Sequence, residues 1–298
     1  MLSFDEMILI FKNDIIERLP ISGDTRQILG GHDLSDVLDT YLEFAFRHPV
    51  KRPREVLYLD GFWDKMEAIQ YAGGVFEIAG CVTRGEDLGR YLSRRAHSET
   101  YVRSERGRSR WENRDFALNA FGVHHLHIGT TGGRSRYSDQ LLFVRFLRNE
   151  AVFLFVGDHK SFDSGELSEA ASRFNLMAGK VLVGISPGSP GYAHRDQTRL
   201  ARYGLSGLAS VGEKVVIGAE LMSDGSSLYI RRHSDRIMVV MSDVFSKLSI
   251  RSEYESWYGS EAHRLPESPK FRFVMDHMDL CLYEETSQTL LRITEFRS

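Results

Sequence analysis

The chain contains 298 residues, of which 42% are hydrophobic and 27% are charged, and its formal net charge is -3. This composition is typical of a globular protein that is long enough for two domains. A slightly negative chain has no bulk attraction to nucleic acid. No stretch approaches the roughly 20 apolar residues of a membrane span, so we expect no membrane partner.

The cysteines and the first residues bear on the cellular compartment. Cys81 and Cys281 each lie in an apolar stretch, which favours buried thiols and a reducing environment. The chain starts Met-Leu-Ser-Phe-Asp-Glu and lacks the basic n-region of a signal peptide. We therefore expect a cytoplasmic protein.

The first 50 residues predict two helices. Ser3 is a suitable N-cap for a helix from Phe4 to about Leu19, which ends before Pro20. The stretch Leu34 to Phe46 carries apolar residues at helical spacing. Both apolar faces are interpreted as parts of a core.

An arginine-rich segment follows, with aromatic residues spaced along it. Guanidinium groups bind phosphates and aromatic rings stack on unpaired bases, so the segment predicts contact with nucleic acid. The alternative interpretation is a polar connector held by salt bridges to nearby acidic residues. The predicted nucleic-acid contacts are Arg94, Arg95, Arg103, Arg106, Arg108, Arg110 and Trp111, together with Arg145 further along the chain.

The strongest β-strand signal lies between residues 123 and 156. Val123 to Ile128 alternates, so His125 and His127 share one face of a strand, while His124, Leu126 and Ile128 face the core. Leu141 to Leu147 and Ala151 to Val156 predict two further strands of an antiparallel meander. This meander predicts one shared rim for His125, His127, Arg134, Arg136, Tyr137, His159 and Lys160.

The side chains on this rim suit metal-independent cleavage of RNA. That reaction needs a base for the ribose 2'-hydroxyl, an acid for the leaving 5'-oxygen and cations for the charge on phosphorus. Histidine titrates near neutrality and performs either proton transfer. We expect His125 or His127 to act with His159, and the cations to be among Arg134, Arg136, Arg145 and Lys160.

The order of elements resembles a known family of ribonucleases. Helices that lead into an antiparallel meander with basic and histidine side chains on its face resemble the RelE/barnase-type fold of bacterial toxins, over residues 100 to 178. The resemblance implies a toxin-like endoribonuclease with a role in bacterial defence and with RNA as its partner. It implies no cofactor.

Two alternatives stay open from the sequence. His125 and His127, with Asp158 or His159, are spaced so that they could bind zinc or another transition metal in a hydrolase. In the second alternative the histidines only hydrogen-bond inside the protein, which is then a non-catalytic module that binds nucleic acid or a protein.

Common nucleotide-binding and hydrolase motifs are absent from the sequence. Neither the dinucleotide-binding glycine motif nor the P-loop motif occurs. The stretch Gly184 to Gly188 matches Gly-x-Ser-x-Gly, but Pro187 removes the backbone donor that an oxyanion hole needs after the serine. The sequence therefore does not support these classes.

The pattern beyond the meander predicts a second α+β region. Ser164 is a suitable cap for a helix from Gly165 to Met177, and Lys180 to Ile185 predicts a strand. The turn-forming residues at 186 to 191 place a boundary near 179 to 191. We therefore predict an active region at residues 1–178 and a C-terminal α+β domain at 179–298.

The C-terminal region is predicted to contain helices and strands in alternation. The helices are expected at Asp196 to Tyr203 and from an N-cap at Ser234 to about Leu248. The strands are expected at Lys214 to Ala219, Ser227 to Arg232, Phe271 to Val274, Leu280 to Tyr283 and Leu290 to Thr294. The fold class is α+β, and this half is the expected surface for a protein partner or a homodimer.

Overall fold

The computed structural model describes residues 2–97, 115–128, 139–187 and 193–296. The helices are α1 Phe4–Glu17, α2 Gly23–Gly30, α3 Leu34–Phe46, α4 Met66–Gln70, α5 Ala72–Arg84, α6 Phe116–Phe121, α7 Ser161–Ser164, α8 Glu166–Met177, α9 His194–Arg202, α10 Leu228–Lys247 and α11 Arg251–Tyr258. The strands are β1 Glu55–Tyr58, β2 His124–His127, β3 Gln140–Phe146, β4 Glu150–Asp158, β5 Leu208–Val211, β6 Lys214–Ile217, β7 Phe271–Asp276, β8 Asp279–Glu284 and β9 Thr289–Arg292. The α+β class is confirmed.

The chain divides into two compact units. One unit consists of residues 1–46 and 230–297, and the other of residues 47–229. This division differs from the boundary that the sequence predicts near residues 179–191. The turn-forming residues there mark a break in secondary structure, whereas a unit is defined by long-range packing.

The unit of residues 47–229 is built on a four-stranded sheet in the order β1-β4-β3-β2. Strands β2, β3 and β4 pair antiparallel, as the meander predicts, and β1 adds in parallel beside β4. Strand β1 was not predicted. It has four residues and exposes Glu55 at its start, so its sequence gives little local signal.

Apolar side chains cover both faces of this sheet. One cluster includes Val123, Phe143 and Phe155 with Leu167 and Phe174 of α8. A second cluster lies on the opposite face and is formed by other sheet residues with residues of α4 and α5. Burial on both faces explains why β3 and β4 are apolar almost throughout.

The helix predicted at Gly165 to Met177 is confirmed as α8. Gly165 itself is the N-cap, and the Ser164 hydroxyl accepts a hydrogen bond from the Glu166 backbone N–H at 3.2 Å. The four-residue helix α7 precedes it and was not predicted. Strand β6 confirms the prediction at Lys214 to Ala219, and it pairs with β5, which was not predicted.

Two predicted strands are wrong. Lys180 to Ile185 forms only one isolated bridge, from Val181 to Val216, and the side chain of Val183 is 96% exposed. Residues 227 to 232 enter α10, because the buried residues from Ile230 to Val244 follow helical spacing over a much longer stretch. Ser234 is buried inside that helix and is not its cap.

The unit of residues 1–46 and 230–297 contains the predicted N-terminal helices and the closing meander. Ser3 forms a capping box with Glu6 at the start of α1, and α3 has the predicted bounds. Strands β7, β8 and β9 form an antiparallel sheet, with the ring of Phe273 packed 6.4 Å from that of Phe11. None of the described helices is both long enough and apolar enough to cross a membrane.

Candidate functional site

The four residues of strand β2 alternate between the two faces of the sheet. His124 and Leu126 are buried, whereas His125 and His127 are half-buried. Val123, directly before the strand, is buried on the same side as Phe143, which pairs with His125. The alternation predicted from the sequence is confirmed, with His124 on the side of the ring of Phe146.

Three histidines come together on the face of β2 that is opposite to His124. The ring centroids of His125 and His127 are 6.3 Å apart, and those of His127 and His159 are 6.0 Å apart. Phe162 lies between them, 5.1 Å from His125 and 6.0 Å from His159. We call His125, His127 and His159 the histidine cluster. His159 reaches it because β4 runs antiparallel to β3 and ends at Asp158, opposite Gln140.

A carboxylate lies next to one member of the histidine cluster, His125. Asp115 is the N-cap of α6, and its Oδ1 accepts a hydrogen bond from the Leu118 backbone N–H at 3.1 Å. Its other oxygen, Oδ2, is 3.4 Å from Nδ1 of His125. That nitrogen is buried and makes no hydrogen bond, so the two groups form an ion pair only when the imidazole is protonated. Sequence analysis missed Asp115 as a site residue, although its position before a short helix is the signal of an N-cap.

The turn after β4 presents a cation beside His159. Lys160 is exposed, and its backbone N–H donates a hydrogen bond to Asp158 Oδ1 at 2.7 Å. This hydrogen bond closes the turn and fixes the direction in which the chain enters α7. The predicted role of the Lys160 amine beside His159 stays a prediction.

A pocket of about 280 Å³ adjoins this turn. Its lining residues come from α4, the start of β3, the end of β4 and the two helices that follow. They are Glu67, Gln140, Val156, Gly157, Asp158, Lys160, Ser161, Ser164 and Glu166. The pocket is lined by the residues before and after His159, but none of the three clustered histidines is part of its lining.

A polar network holds one wall of this pocket. Ser161 Oγ donates a hydrogen bond to Glu166 Oε2 at 2.8 Å and accepts one from the Asp158 backbone N–H at 3.3 Å. Lys65 pairs with the other oxygen of Glu166. At Gly157 a Cβ atom would overlap Ser161 Oγ, so this close approach requires glycine. Sequence analysis missed Lys65 and Glu166, because residues so far apart in the chain give no local signal.

Arg145 lies inside the protein rather than at a nucleic-acid surface. It is 0% exposed, its Nη1 donates to the Phe121 carbonyl, and its guanidinium lies over the rings of Phe174 at 5.4 Å and Tyr229 at 5.1 Å. The amine of Lys180 lies 5.5 Å from the centroid of the same Tyr229 ring. Burial and the charge of Arg145 lower the pKa of Lys180 to about 8. We call Arg145, Lys180 and Tyr229 the arginine cluster.

Several predicted site residues lie outside the described residues. Arg94 and Arg95 belong to a 3-10 turn at Arg94–His97, but their side chains are not described. The other predicted contacts outside the described residues are Arg103, Arg106, Arg108, Arg110, Trp111, Arg134, Arg136 and Tyr137. Their predicted roles stay predictions.

The described part of the chain contains no group of three His, Cys, Asp or Glu side chains arranged to hold one metal ion. His125, His127 and His159, with or without Asp158, do not form such a group there.

No known protein family matches the chain, and no curated protein or solved structure shows significant similarity to it. The resemblance to RelE/barnase-type ribonucleases therefore stays a prediction. Function must be argued from the chemistry of the site.

Proposed function

We propose that the protein is a ribonuclease that cleaves RNA phosphodiester bonds by proton transfer at the histidine cluster. The observation that carries the proposal is the 6.0 Å separation of the His127 and His159 rings, which come from β2 and from the turn after β4. Two imidazoles at this distance can both reach oxygen atoms of a phosphate placed between them. A base and an acid on either side of one phosphate are what the reaction requires.

The reaction needs no group beyond the protein and its substrate. One neutral imidazole removes the proton of the ribose 2'-hydroxyl, and the freed oxygen attacks phosphorus. The bond from phosphorus to the 5'-oxygen breaks, and a second, protonated imidazole donates its proton to that oxygen. The products are a 2',3'-cyclic phosphate and a free 5'-hydroxyl, and either histidine can serve in either role.

Charged residues near the histidine cluster support these two proton transfers. Lys160 is exposed next to His159 and supplies a cation for the charge that develops on the phosphate oxygens. Asp115 lies 3.4 Å from His125 on the other side of the cluster. A carboxylate in this place stabilises the positive charge of the imidazolium that forms during proton transfer.

The test is an RNA-degradation assay on the purified protein, with and without a chelator. We expect cleavage in both conditions, and we expect His159→Ala to abolish it while the melting temperature stays within about 2 °C of that of the unmodified protein. His263→Ala is the matched control, because His263 is exposed in the other unit.

Two results would count against the proposal. Cleavage that the chelator removes would favour the metal-dependent alternative. Metal-independent cleavage that His159→Ala leaves intact would place the activity elsewhere.

A further inference from the structure

Helix α9 carries basic side chains along one side. Arg195, Arg199 and Arg202 follow one another at spacings of four and three residues, so they share that side of the helix. All three are exposed, whereas Ala201 on another side is buried. At the helical rise of about 1.5 Å per residue, α9 therefore presents a basic strip about 10 Å long.

Two of these guanidinium groups have no partner in the part of the chain that the structure describes. The side chains of Arg195 and Arg199 make neither a hydrogen bond nor an ion pair there. Asp196 is the one carboxylate of the helix, so three arginines face a single acidic residue within α9. An exposed, unpaired guanidinium group can form forked hydrogen bonds with phosphate oxygens. The charge of α9 therefore suits a polyanion.

An exposed aromatic ring continues the basic side of α9. Tyr203 is the C-cap of the helix and follows Arg199 by four residues, which places it on the same side. It is 75% exposed, and among the described residues its ring has no aromatic or cationic partner. Cations beside an exposed ring are what single-stranded nucleic acid binds, since phosphates contact the cations and unpaired bases stack on the ring. We call Arg195, Arg199, Arg202 and Tyr203 the α9 face.

Arg202 is the member of the α9 face that is held in place. Its Nε donates a hydrogen bond to Asp163 Oδ1 at 2.7 Å, and its guanidinium lies over the Phe116 ring, 4.5 Å from the centroid. Ala201 and Phe116 belong to one apolar cluster, which covers the face of the sheet that carries His125. The α9 face therefore lies on the same side of the sheet as the histidine cluster.

The two residues that hold this arginine lie next to the histidine cluster in the chain. Phe116 directly follows Asp115, whose Oδ2 is 3.4 Å from Nδ1 of His125. Asp163 directly follows Phe162, whose ring centroid is 5.1 Å from that of His125. Both connections end at the same histidine, so the α9 face begins beside the histidine cluster.

We propose that the α9 face binds the single-stranded RNA that flanks the scissile phosphate, with Arg195 and Arg199 on phosphates and Tyr203 stacked on an unpaired base. This inference rests on the proposed ribonuclease function and names the form of RNA that the site accepts. A duplex is a poorer ligand, because its bases are stacked on one another and leave none for the ring.

The experiment uses a ligand that a 2'-hydroxyl attack cannot cleave, a fluorescein-labelled uridine oligonucleotide of about ten nucleotides with 2'-O-methyl groups throughout. Its binding is measured by fluorescence anisotropy between about 50 and 200 mM NaCl. Each phosphate contact contributes about -0.7 to the slope of log K against log[salt] for a single strand. Arg199→Gln should therefore make the slope shallower by about 0.7, and Arg195→Gln combined with Arg199→Gln by about 1.4.

Tyr203→Ala tests the stacking separately from the charge. The loss of one base stack should weaken binding roughly tenfold, and the salt slope should stay the same because no charge is removed. Arg84→Gln is the matched control for Arg199→Gln. Arg84 is exposed in the last turn of α5, which packs on the opposite face of the sheet, so its replacement should leave the slope unchanged.

Three results would overturn the inference. The first is a salt slope that the arginine variants leave unchanged, and the second is an equal change in Arg84→Gln. The third is equal affinity for the oligonucleotide and for its duplex with the complementary strand, unaltered by Tyr203→Ala. The replaced side chains are exposed, so the melting temperature of each variant should stay within about 2 °C of that of the unmodified protein.

Binding and cleavage fail separately. If the oligonucleotide binds through the α9 face but the protein does not cut RNA, the inference is supported and the ribonuclease proposal fails. If the protein cuts RNA and the α9 variants bind the oligonucleotide as the unmodified protein does, the ribonuclease proposal stands and the inference fails.

Discussion

The histidine cluster and the arginine cluster lie on the same face of one sheet, yet they differ in how far their side chains are buried. His125 and His127 project from β2 at the edge of the sheet and are half-buried. Arg145 projects from β3, between β2 and β4, and is enclosed by the rings of Phe174 and Tyr229. Alternation along a strand determines the face of a side chain, whereas the place of the strand in the sheet determines its burial.

This difference separates a group that can meet a ligand from one that stabilises the fold. A half-buried imidazole exchanges protons with a substrate, but an enclosed guanidinium cannot reach one. The sequence predicts both kinds of residue for the same function, and the structure distinguishes them. Substitutions in the histidine cluster should therefore lower the rate of RNA cleavage, whereas substitutions in the arginine cluster should lower the free energy of unfolding.

The largest expected effect is the loss of activity when a histidine of the cluster is replaced. His127→Ala should lower the rate of RNA cleavage by about 10²–10⁴-fold, the usual contribution of a general acid or base. The free energy of unfolding should change by less than about 1 kcal/mol, because His127 is half-buried. Single-turnover cleavage and urea denaturation of the same preparation provide the check. A rate within tenfold of the unmodified protein would contradict the assignment.

The second effect is a loss of stability when an added side-chain atom overlaps Arg145 of the arginine cluster. Gly122 has a φ of +63°, and a Cβ there would overlap Nη1 of Arg145. Gly122→Ala should therefore lower the free energy of unfolding by about 2–4 kcal/mol. Gly212→Ala is the matched control, because Gly212 has a φ of +56° and open space at the Cβ position. It should cost only about 1 kcal/mol of backbone strain. Equal losses in the two variants would show that Arg145 is not tightly packed.

A smaller effect tests the two roles of Asp115. Asp115→Ser keeps an N-cap for α6 but removes the charge beside His125, so stability should stay within about 0.5 kcal/mol. Cleavage should fall roughly tenfold, which corresponds to about 1.4 kcal/mol for a lost charged contact. Asp115→Ala is the comparison, since it should lose the same activity and also about 1 kcal/mol of stability. Full activity in Asp115→Ser would restrict Asp115 to capping.

The smallest effect concerns His233, an enclosed histidine in the other unit. His233 is 5% exposed, and its Nε2 lies 2.6 Å from the Met278 carbonyl oxygen. Burial lowers the pKa of His233 below its ordinary value of 6.5. The unfolded chain therefore binds a proton more readily, so this contribution is complete above pH 6.5 and is lost as the pH falls below it.

The check on His233 is the midpoint of urea unfolding at pH 7 and pH 5. His233→Gln keeps an N–H donor for Met278 and removes the titration, so its midpoint should fall less on acidification than that of the unmodified protein. His263→Gln, at an exposed position, should behave like the unmodified protein. An equal fall in His233→Gln would assign the acid sensitivity to other groups.

Local patterns predicted the elements that have strong local signals. The capping residue Ser3 and the apolar spacing of Leu34 to Phe46 are confirmed, as are the alternation of β2 and the closing meander. Each of these signals lies within one stretch of chain. The proximity of the three histidines also follows from local signals, because the antiparallel pairing of β2, β3 and β4 decides which strand ends meet.

Features that depend on distant residues could not be predicted. Strand β1 joins the sheet beside β4 although almost 100 residues separate them in the chain. The pair of Lys65 with Glu166 and the enclosure of Arg145 by Tyr229 also depend on contacts between distant segments. The wrong strand at residues 227–232 reflects the short apolar run Leu228-Tyr229-Ile230, which the longer helical period of α10 overrides.

The most direct measurement of the central claim uses an RNA oligonucleotide with one 2'-deoxy position. Cleavage by a 2'-hydroxyl attack requires that hydroxyl, so the bond after the deoxy position should stay intact while neighbouring bonds are cut in the presence of chelator. The new ends should carry 2',3'-cyclic phosphate and 5'-hydroxyl groups. Cleavage at the deoxy position, or 5'-phosphate ends, would contradict histidine acid/base catalysis at this site.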